Sequence, residues 1–373
     1  MRRAVVLMVV VVLAGGALML AARSPWLLAW AMVHDLVRPD ARPLAPWVGS
    51  TPEVSLLEVP HPAGTTRAVL VRPRGARSTA GVVLVHGMIE TGEEDAHLRR
   101  LAKTLASGGF TVLVPAVPGL KRWALVTEDV EVVAAAVSYL QERVEGVEPG
   151  RVGVVGISVG GGPALAAAAR LHTQVAFAGA FGGYYDVAAV LRGLVEAGRA
   201  VEGELETLDR WVFFANNSHL AADPRDRAIL LDVARLPPDR RGAEEEASAA
   251  RLSPEGRALL EILTTEDPER VEALVERAGP AVDRMRRALS PRYYAERLTM
   301  KLFLAHGRSD PIVPHTETLR LAAALPASAE PTVAILPLFA HVDPQAGEGG
   351  IAARWKALRR FHGLLAALLA QRP

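Results

Sequence analysis

Cysteine is absent from the 373 residues, which excludes disulfides, thiolate metal sites and a cysteine nucleophile, and leaves the redox compartment open. An excess of one charge is absent too. With 42 basic and 41 acidic residues the net charge is +1, so the chain carries no global field that would draw in nucleic acid or an anionic surface. There is no Gly-Lys-Ser/Thr and no Gly-x-Gly-x-x-Gly after a strand, which removes phosphate-loop and dinucleotide readings, and there is no internal repeat. What the chain does have is apolar residues: at 50% they are enough to build a sizeable core and to exclude disorder.

The longest apolar run comes first. Met1-Arg2-Arg3 precedes an uninterrupted small and apolar stretch over residues 4–22, which at about 1.5 Å per residue nearly spans a hydrocarbon layer of about 30 Å. Residues 1–22 therefore read as a transmembrane anchor, or else as a cleaved signal segment. The small-x-small sites, 19–21 and 29–31, are poorly matched or late, and this favours the anchor. Either way the remaining chain is expected outside the cytoplasm, membrane-anchored in the first case and secreted or periplasmic in the second. Arg2 and Arg3 mark the inner side, and Trp26 and Trp30 suit the far interface. Residues 23–52, with Pro39, Pro43, Pro46 and Pro52, read as a stiff, extended connector.

From residue 53 the pattern is that of a globular domain. Residues 54–59 and 66–72 have strand composition, with a turn between them, and form an antiparallel opening pair. Continuous β-branched runs at 80–86, 110–115 and 151–157 read as strands covered on both faces. Helical periodicity lies between them, at 95–107 and 130–144. Strand alternating with helix implies right-handed crossovers and a mostly parallel sheet with helices on both faces. A further strand is expected at 176–181. The alternation then stops for residues 184–298, which are charged and largely helical, with Pro237-Pro238 and 239–246 as a polar interruption. It resumes with strands at 301–305 and 332–336 and helices at 315–324 and 351–369. The domain thus reads as two core parts, 53–183 and 299–373, separated by a helical insertion.

In a parallel sheet, functional side chains gather at the carboxyl ends of the strands. Three such ends carry chemistry. After 151–157 comes Gly156-Ile157-Ser158-Val159-Gly160, whose glycines permit a sharp strand-to-helix turn that lifts the Ser158 hydroxyl clear of the sheet edge. After 301–305 comes His306-Gly307-Arg308-Ser309-Asp310-Pro311. After 332–336 comes Phe339-Ala340-His341, with Asp343 a reserve acid nearby. A serine hydroxyl needs an imidazole to take its proton, and the imidazole needs a carboxylate to fix its tautomer and stabilise its cation. Ser158, His341 and Asp310 supply these types. The natural donors to a tetrahedral oxyanion are the backbone N–H groups of Val159 and of Met88, which follows His86-Gly87.

Other side chains have simpler readings. His86 and His306, beside glycines at strand ends, read as structural. Glu93, Glu94, Asp95 and His97 form an acidic helix start more naturally than a metal site. Asp186, with Tyr184 and Tyr185 beside it, suits either a pocket wall or a helix cap. Asn216-Asn217-Ser218 is a formal glycosylation sequon, meaningful only in a eukaryotic secretory route.

Taken together, His86-Gly87-Met88, Gly156-Ile157-Ser158-Val159-Gly160-Gly161, the 306–314 segment and Phe339-Ala340-His341 resemble the α/β-hydrolase superfamily of serine esterases and lipases, from residue 53 to the C-terminus. The resemblance implies an α/β-hydrolase sheet with residues 184–298 as a cap. It also implies a serine hydrolase acting on a carboxylic ester or related acyl substrate through an acyl-enzyme. An acyltransferase using the same residues, or an inactive domain serving as a binding module, are the alternatives. The expected partners are a small-molecule or lipid acyl substrate and, through residues 1–22, a membrane. No cofactor or metal is required by this chemistry, no nucleic-acid partner is implied, and oligomeric state is not encoded legibly.

Overall fold

The computed structural model describes residues 24–197, 210–236, 238–337, 339–340, 343–344 and 351–373. The 1–22 anchor and His341 lie outside the described residues.

The core is an eight-stranded sheet in the order β1-β2-β4-β3-β5-β6-β7-β8. Strands β1 (Pro52–His61) and β2 (Gly64–Pro73) form the antiparallel opening pair. β2 also runs antiparallel to β4 (Phe110–Pro115), and the remaining pairs, through β3 (Thr79–Val85), β5 (Val147–Ile157), β6 (Phe177–Phe181), β7 (Lys301–Gly307) and β8 (Thr332–Leu336), are parallel. β3 and β4 are buried along their whole length, as continuous apolar runs in a doubly covered sheet should be.

Helices cover both faces. On one lie α3 (Asp129–Arg143) and α4 (Gly161–Arg170); their Val133, Val137, Leu140 and Leu165 join Val83, Val152 and Val154 in the larger core. On the other lie α1 (Pro25–Val37), α2 (Ala96–Ser107) and the C-terminal helix, α13 (Ile351–Leu369), which pack over Val82, Val112, Val155 and Phe303. α2 begins where Asp95 accepts a hydrogen bond from the Leu98 N–H at 2.8 Å, an N-cap at the acidic helix start anticipated from sequence.

Residues 25–52 differ from the extended connector expected. Leu28, Ala29, Met32 and Val33 of α1 are buried in the second core. The buried Asp35 carboxylate accepts hydrogen bonds from the Leu44 and Ala45 N–H groups at 2.6 and 2.9 Å. These bonds fold the proline-rich stretch back into a short helical turn, Ala45–Val48, and the Ser50 N–H then binds the Ser107 carbonyl at 2.9 Å. The prolines interrupt helices without extending the chain, because a buried carboxylate satisfies the N–H groups they expose.

The described part of the insertion is helical: α5 (Ala188–Ala197), α6 (Arg210–Asn216), α7 (Pro224–Ala234), α8 (Pro238–Ala249), α9 (Pro254–Thr264), α10 (Val271–Arg277) and α11 (Pro280–Leu289). Helix α8 occupies the stretch expected as a polar interruption. Pro238 opens it, at a position where a missing N–H costs nothing, so the proline starts a helix here. The two ends of the insertion are tied to each other, and the first end is tied to the core. Asp186 receives a two-point hydrogen bond from Arg286, with Nε–Oδ1 at 3.0 Å and Nη2–Oδ2 at 2.7 Å, and a further bond from Arg292 at 3.0 Å. The buried carboxylate of Glu317 in α12 (Thr316–Ala324) accepts from the Tyr185 and Asp186 N–H groups, each at 3.1 Å. Among the described residues no helix is long and apolar enough to cross a membrane.

Candidate active site

Ser158 sits at the end of β5, in a 3-10 turn (Ser158–Gly160) that leads into α4. Its φ of +52° places a non-glycine residue in the left-handed region, a strained conformation of the kind that clusters at functional sites. Backbone crowding explains the glycines around it. A Cβ on Gly156 would lie 2.4 Å from the Gly160 carbonyl oxygen, and one on Gly160 would lie 2.1 Å from that of His86. The side chain of Ser158 is 9% exposed. The end of β3 passes directly beside it, since a Cβ on Gly87 would stand 3.2 Å from the Ser158 Cβ and 3.8 Å from its Oγ. Met88, the residue after Gly87, lines the same cavity as Ser158, and Val159 follows Ser158 in the turn that leads into α4.

His86 holds that loop and takes no part as a base. Its Nδ1–H donates to the Gly87 carbonyl at 2.7 Å and its Nε2 accepts from the Val117 N–H at 3.0 Å. Both ring nitrogens are committed to the neutral form, and burial holds the pKa below the ordinary histidine range.

Asp310 lies at the carboxyl end of β7, as the sequence suggests. Its Oδ1 accepts the N–H groups of Ile312 and Val313 at 2.9 and 2.8 Å. The fully buried His306 stands behind it, with Nε2 2.8 Å from the Val313 carbonyl oxygen and 3.2 Å from Asp310 Oδ2, while Nδ1 meets the Thr318 hydroxyl at 2.7 Å. Two acceptors at Nε2 place the hydrogen there, so Nδ1 accepts from Thr318. His306 thus helps to fix the carboxylate. Its role was not readable from sequence beyond "structural", because the partners Thr318 and Val313 are set by the fold of the loop.

His341 falls between β9 (Phe339–Ala340) and β10 (Asp343–Pro344), two short strands that pair antiparallel. Phe339, two positions earlier in the sequence, is buried, with ring centroids 5.2 Å from Phe181 and 5.4 Å from Phe361. The reserve acid, Asp343, belongs to β10.

The other acids noted from sequence have settled partners. Lys121 Nζ lies 2.7 Å from Glu93, Arg67 lies 2.8 Å from Glu94, and Asp95 caps α2. No three metal-ligating side chains are grouped among the described residues. Asp186 is an internal ion-pair partner that also caps the start of the insertion by accepting from the Ala188 N–H at 3.1 Å. Burial alone would raise its pKa, but the hydrogen bonds from Arg286, Ala188 and Arg292 outweigh that and hold it below the ordinary carboxylate range.

Ser158 opens onto a cavity of about 310 Å³ on the α1, α2 and α13 side of the sheet, lined mostly by apolar residues, of which leucine and phenylalanine are the commonest. No described residue of the 184–298 insertion lines it. Sequence reading missed this cavity. Its walls come from helices separated by some 250 positions, and each wall residue also obeys the ordinary pattern of a core face.

Residues 65–342 match the family model described as X-Pro dipeptidyl-peptidase (S15 family). A search of the curated proteins finds no match. Among solved structures, an acylaminoacyl peptidase of Pyrococcus horikoshii aligns with a TM-score of 0.51 at 14% identity, over 86% of this chain and 41% of that one. The chain therefore spans about two-fifths of that peptidase's length. A 2,6-dihydroxy-pseudo-oxynicotine hydrolase aligns at 0.46 and 18% identity, over 84% of this chain and 68% of its own. A bacterial brefeldin A esterase, described as a homologue of human hormone-sensitive lipase, aligns at 0.47 and 19%, over 92% and 86%. The family match takes in the elbow serine, the β7 acid and the last strand, covering about three quarters of the chain; the chain belongs to the S15 peptidase family and is a hydrolase of the α/β-hydrolase type.

Proposed function

We propose that this chain is a serine hydrolase that cleaves a carboxylic ester or related acyl substrate through a covalent acyl-enzyme. The observation that carries the reading is Ser158, held at a φ of +52° on a strand-to-helix turn and open to an apolar cavity. The Ser158 Oγ attacks the substrate carbonyl carbon while His341 takes the hydroxyl proton, and Asp310 holds the imidazole tautomer and stabilises its cation. The oxyanion receives the N–H groups of Met88 and Val159. Collapse of the tetrahedral intermediate breaks the bond to the leaving group, which takes the proton from His341. Water, deprotonated by the same imidazole, then releases the acid and restores Ser158.

The family description favours a second reading, release of dipeptides ending in proline. A peptide amino group needs an unspent carboxylate to receive it. The lining of the cavity at Ser158 is chiefly apolar; its one described carboxylate, Asp95, is already engaged as the N-cap of α2 by accepting from the Leu98 N–H, and the buried Glu93 two positions before it is paired with Lys121. This is why we favour an ester. We further propose that residues 1–22 anchor the chain, with the catalytic domain outside the cytoplasm; support comes from the apolar run over 4–22 and from Trp26, which is 58% exposed just after it.

Hydrolysis of p-nitrophenyl butyrate by the wild type and by Ser158→Ala tests the proposal. The variant should lose at least about ten-thousandfold in kcat. Retention of activity within tenfold of wild type overturns the assignment.

A further inference from the structure

The cavity at Ser158 has a direction. Sheet register aligns Leu84 of β3, Val155 of β5, Gly179 of β6 and Phe303 of β7 in one row across the sheet. Leu84, Val155 and Phe303 line the cavity floor, and Gly179 between them adds no side chain. One step nearer the catalytic edge on the same face, Ile157 and Phe181 continue that floor up to Ser158. The roof is a pair of helical stripes. Phe361, Leu364, Leu365 and Leu368 of α13 recur at helical spacing, and so do Leu98, Leu101 and Leu105 of α2. Each stripe covers seven residue steps, or about 10 Å at 1.5 Å per residue. Of the polar side chains in the lining, Asp95, His97 and Arg100 come from the exposed or half-exposed start of α2, Ser158 is the nucleophile, and the buried His86 has both ring nitrogens hydrogen-bonded; the remaining walls are apolar.

From this geometry we propose that the cavity is the acyl-chain subsite, and that the substrates are esters of medium or long straight-chain fatty acids, bound with the chain running from Ser158 down the sheet face between α2 and α13. The inference rests on the serine-hydrolase reading and deepens it. Protein interiors are close-packed, and a void walled by leucine and phenylalanine is a cost to stability unless a ligand fills it. This one is continuous with the nucleophile, longer than a two- or three-carbon acyl group needs, and without a buried group to receive a charge. An alkyl chain is the occupant that matches it. Among the described residues, the helical stripes that face the sheet floor across the cavity come from α2 and α13, and these are the elements whose substitution tests acyl selection.

The experiment compares kcat/KM for p-nitrophenyl butyrate, octanoate and dodecanoate, which share one leaving group, in the full chain, and pairs this with fluorophosphonate labelling of Ser158. Each methylene that enters the cavity should raise kcat/KM about threefold to fourfold, so octanoate should exceed butyrate by a hundredfold or more. Leu101→Trp, at a half-buried position on α2, and Leu364→Trp on α13 should each lower the dodecanoate-to-butyrate ratio at least tenfold. Leu101→Phe gives a gentler obstruction if a tryptophan variant fails to fold. Labelled Ser158 with a flat or falling chain-length profile, or with ratios unmoved by these substitutions, overturns the subsite. So does a proline dipeptide p-nitroanilide that is cleaved faster than every ester. Absence of labelling in folded protein overturns the hydrolase reading on which the subsite depends.

Discussion

Asp310→Asn should reduce turnover by about ten-thousandfold, because an amide in place of the carboxylate leaves the imidazole in the wrong tautomer. Steady-state ester hydrolysis measures this, and Asp343→Asn is the informative comparison. A large loss in Asp343→Asn with little loss in Asp310→Asn would reassign the acid. The reason to expect the opposite is that Asp310 is held by two backbone N–H groups and backed by His306. A second residue makes a pH prediction. Burial pushes the Asp129 carboxyl up to about 7, despite hydrogen bonds from the Gly119 and Leu120 N–H groups and the nearby Arg122, and Glu128 adds to the rise. Its Oδ1 accepts from Gly119 at 3.0 Å, and its Oδ2 is buried without a hydrogen-bond partner. The folded protein binds this proton more tightly than the unfolded chain does. The associated stability is therefore fully present below about pH 4 and is lost as pH rises toward and through 7. Asp129→Asn should remove that loss and stabilise the protein at pH 8 by on the order of a few kcal/mol, read as a higher melting temperature. Equal melting temperatures for the variant and wild type at pH 8 contradict it. The strand-end placement of Ser158 and Asp310 was legible in the sequence because a glycine-flanked turn and an acid after an apolar run leave local marks. The support given by His306 was not legible, since it depends on Thr318 and the Val313 carbonyl meeting one imidazole.

Among the elements, the insertion stands on a buried ion pair. Arg286 and Asp186 are 5% and 9% exposed at the side chain, so removing one partner strands the other. Arg286→Leu should cost about 3–5 kcal/mol in chemical denaturation, with Arg292 compensating only in part. A change below about 0.5 kcal/mol would show that the pair is dispensable. The strands of the core were legible in place and order, because a parallel sheet covered on both faces demands unbroken apolar runs; their ends were less so, and β5 begins at Val147, four residues before the apolar run. Helix α8 was less legible, because a proline and a run of charges suit a loop as well as a helix start. The connector was misleading for a related reason. Its prolines are local signals, while the Asp35 carboxylate that folds it back acts across nine and ten positions.

For the whole molecule, the described fold begins inside the region first assigned to a connector. Deletion of residues 1–40 should destabilise the domain severely, since it removes the buried face of α1 from the second core. Thermal melts of the truncation and the full chain check this, and equal stability would contradict the packing of α1. Carbonate extraction of membranes tests the proposed anchor: protein that keeps its N-terminus should remain with the membrane, and release of such protein argues against a span. The central claim, that Ser158 is the nucleophile, has the most direct test of all. The full chain, solubilised in detergent, is treated with a fluorophosphonate, digested, and the modified peptide is sequenced by mass spectrometry. The account predicts one phosphonyl group per chain, on Ser158, and none in Ser158→Ala; modification at another serine, or equal labelling of the variant, would contradict it.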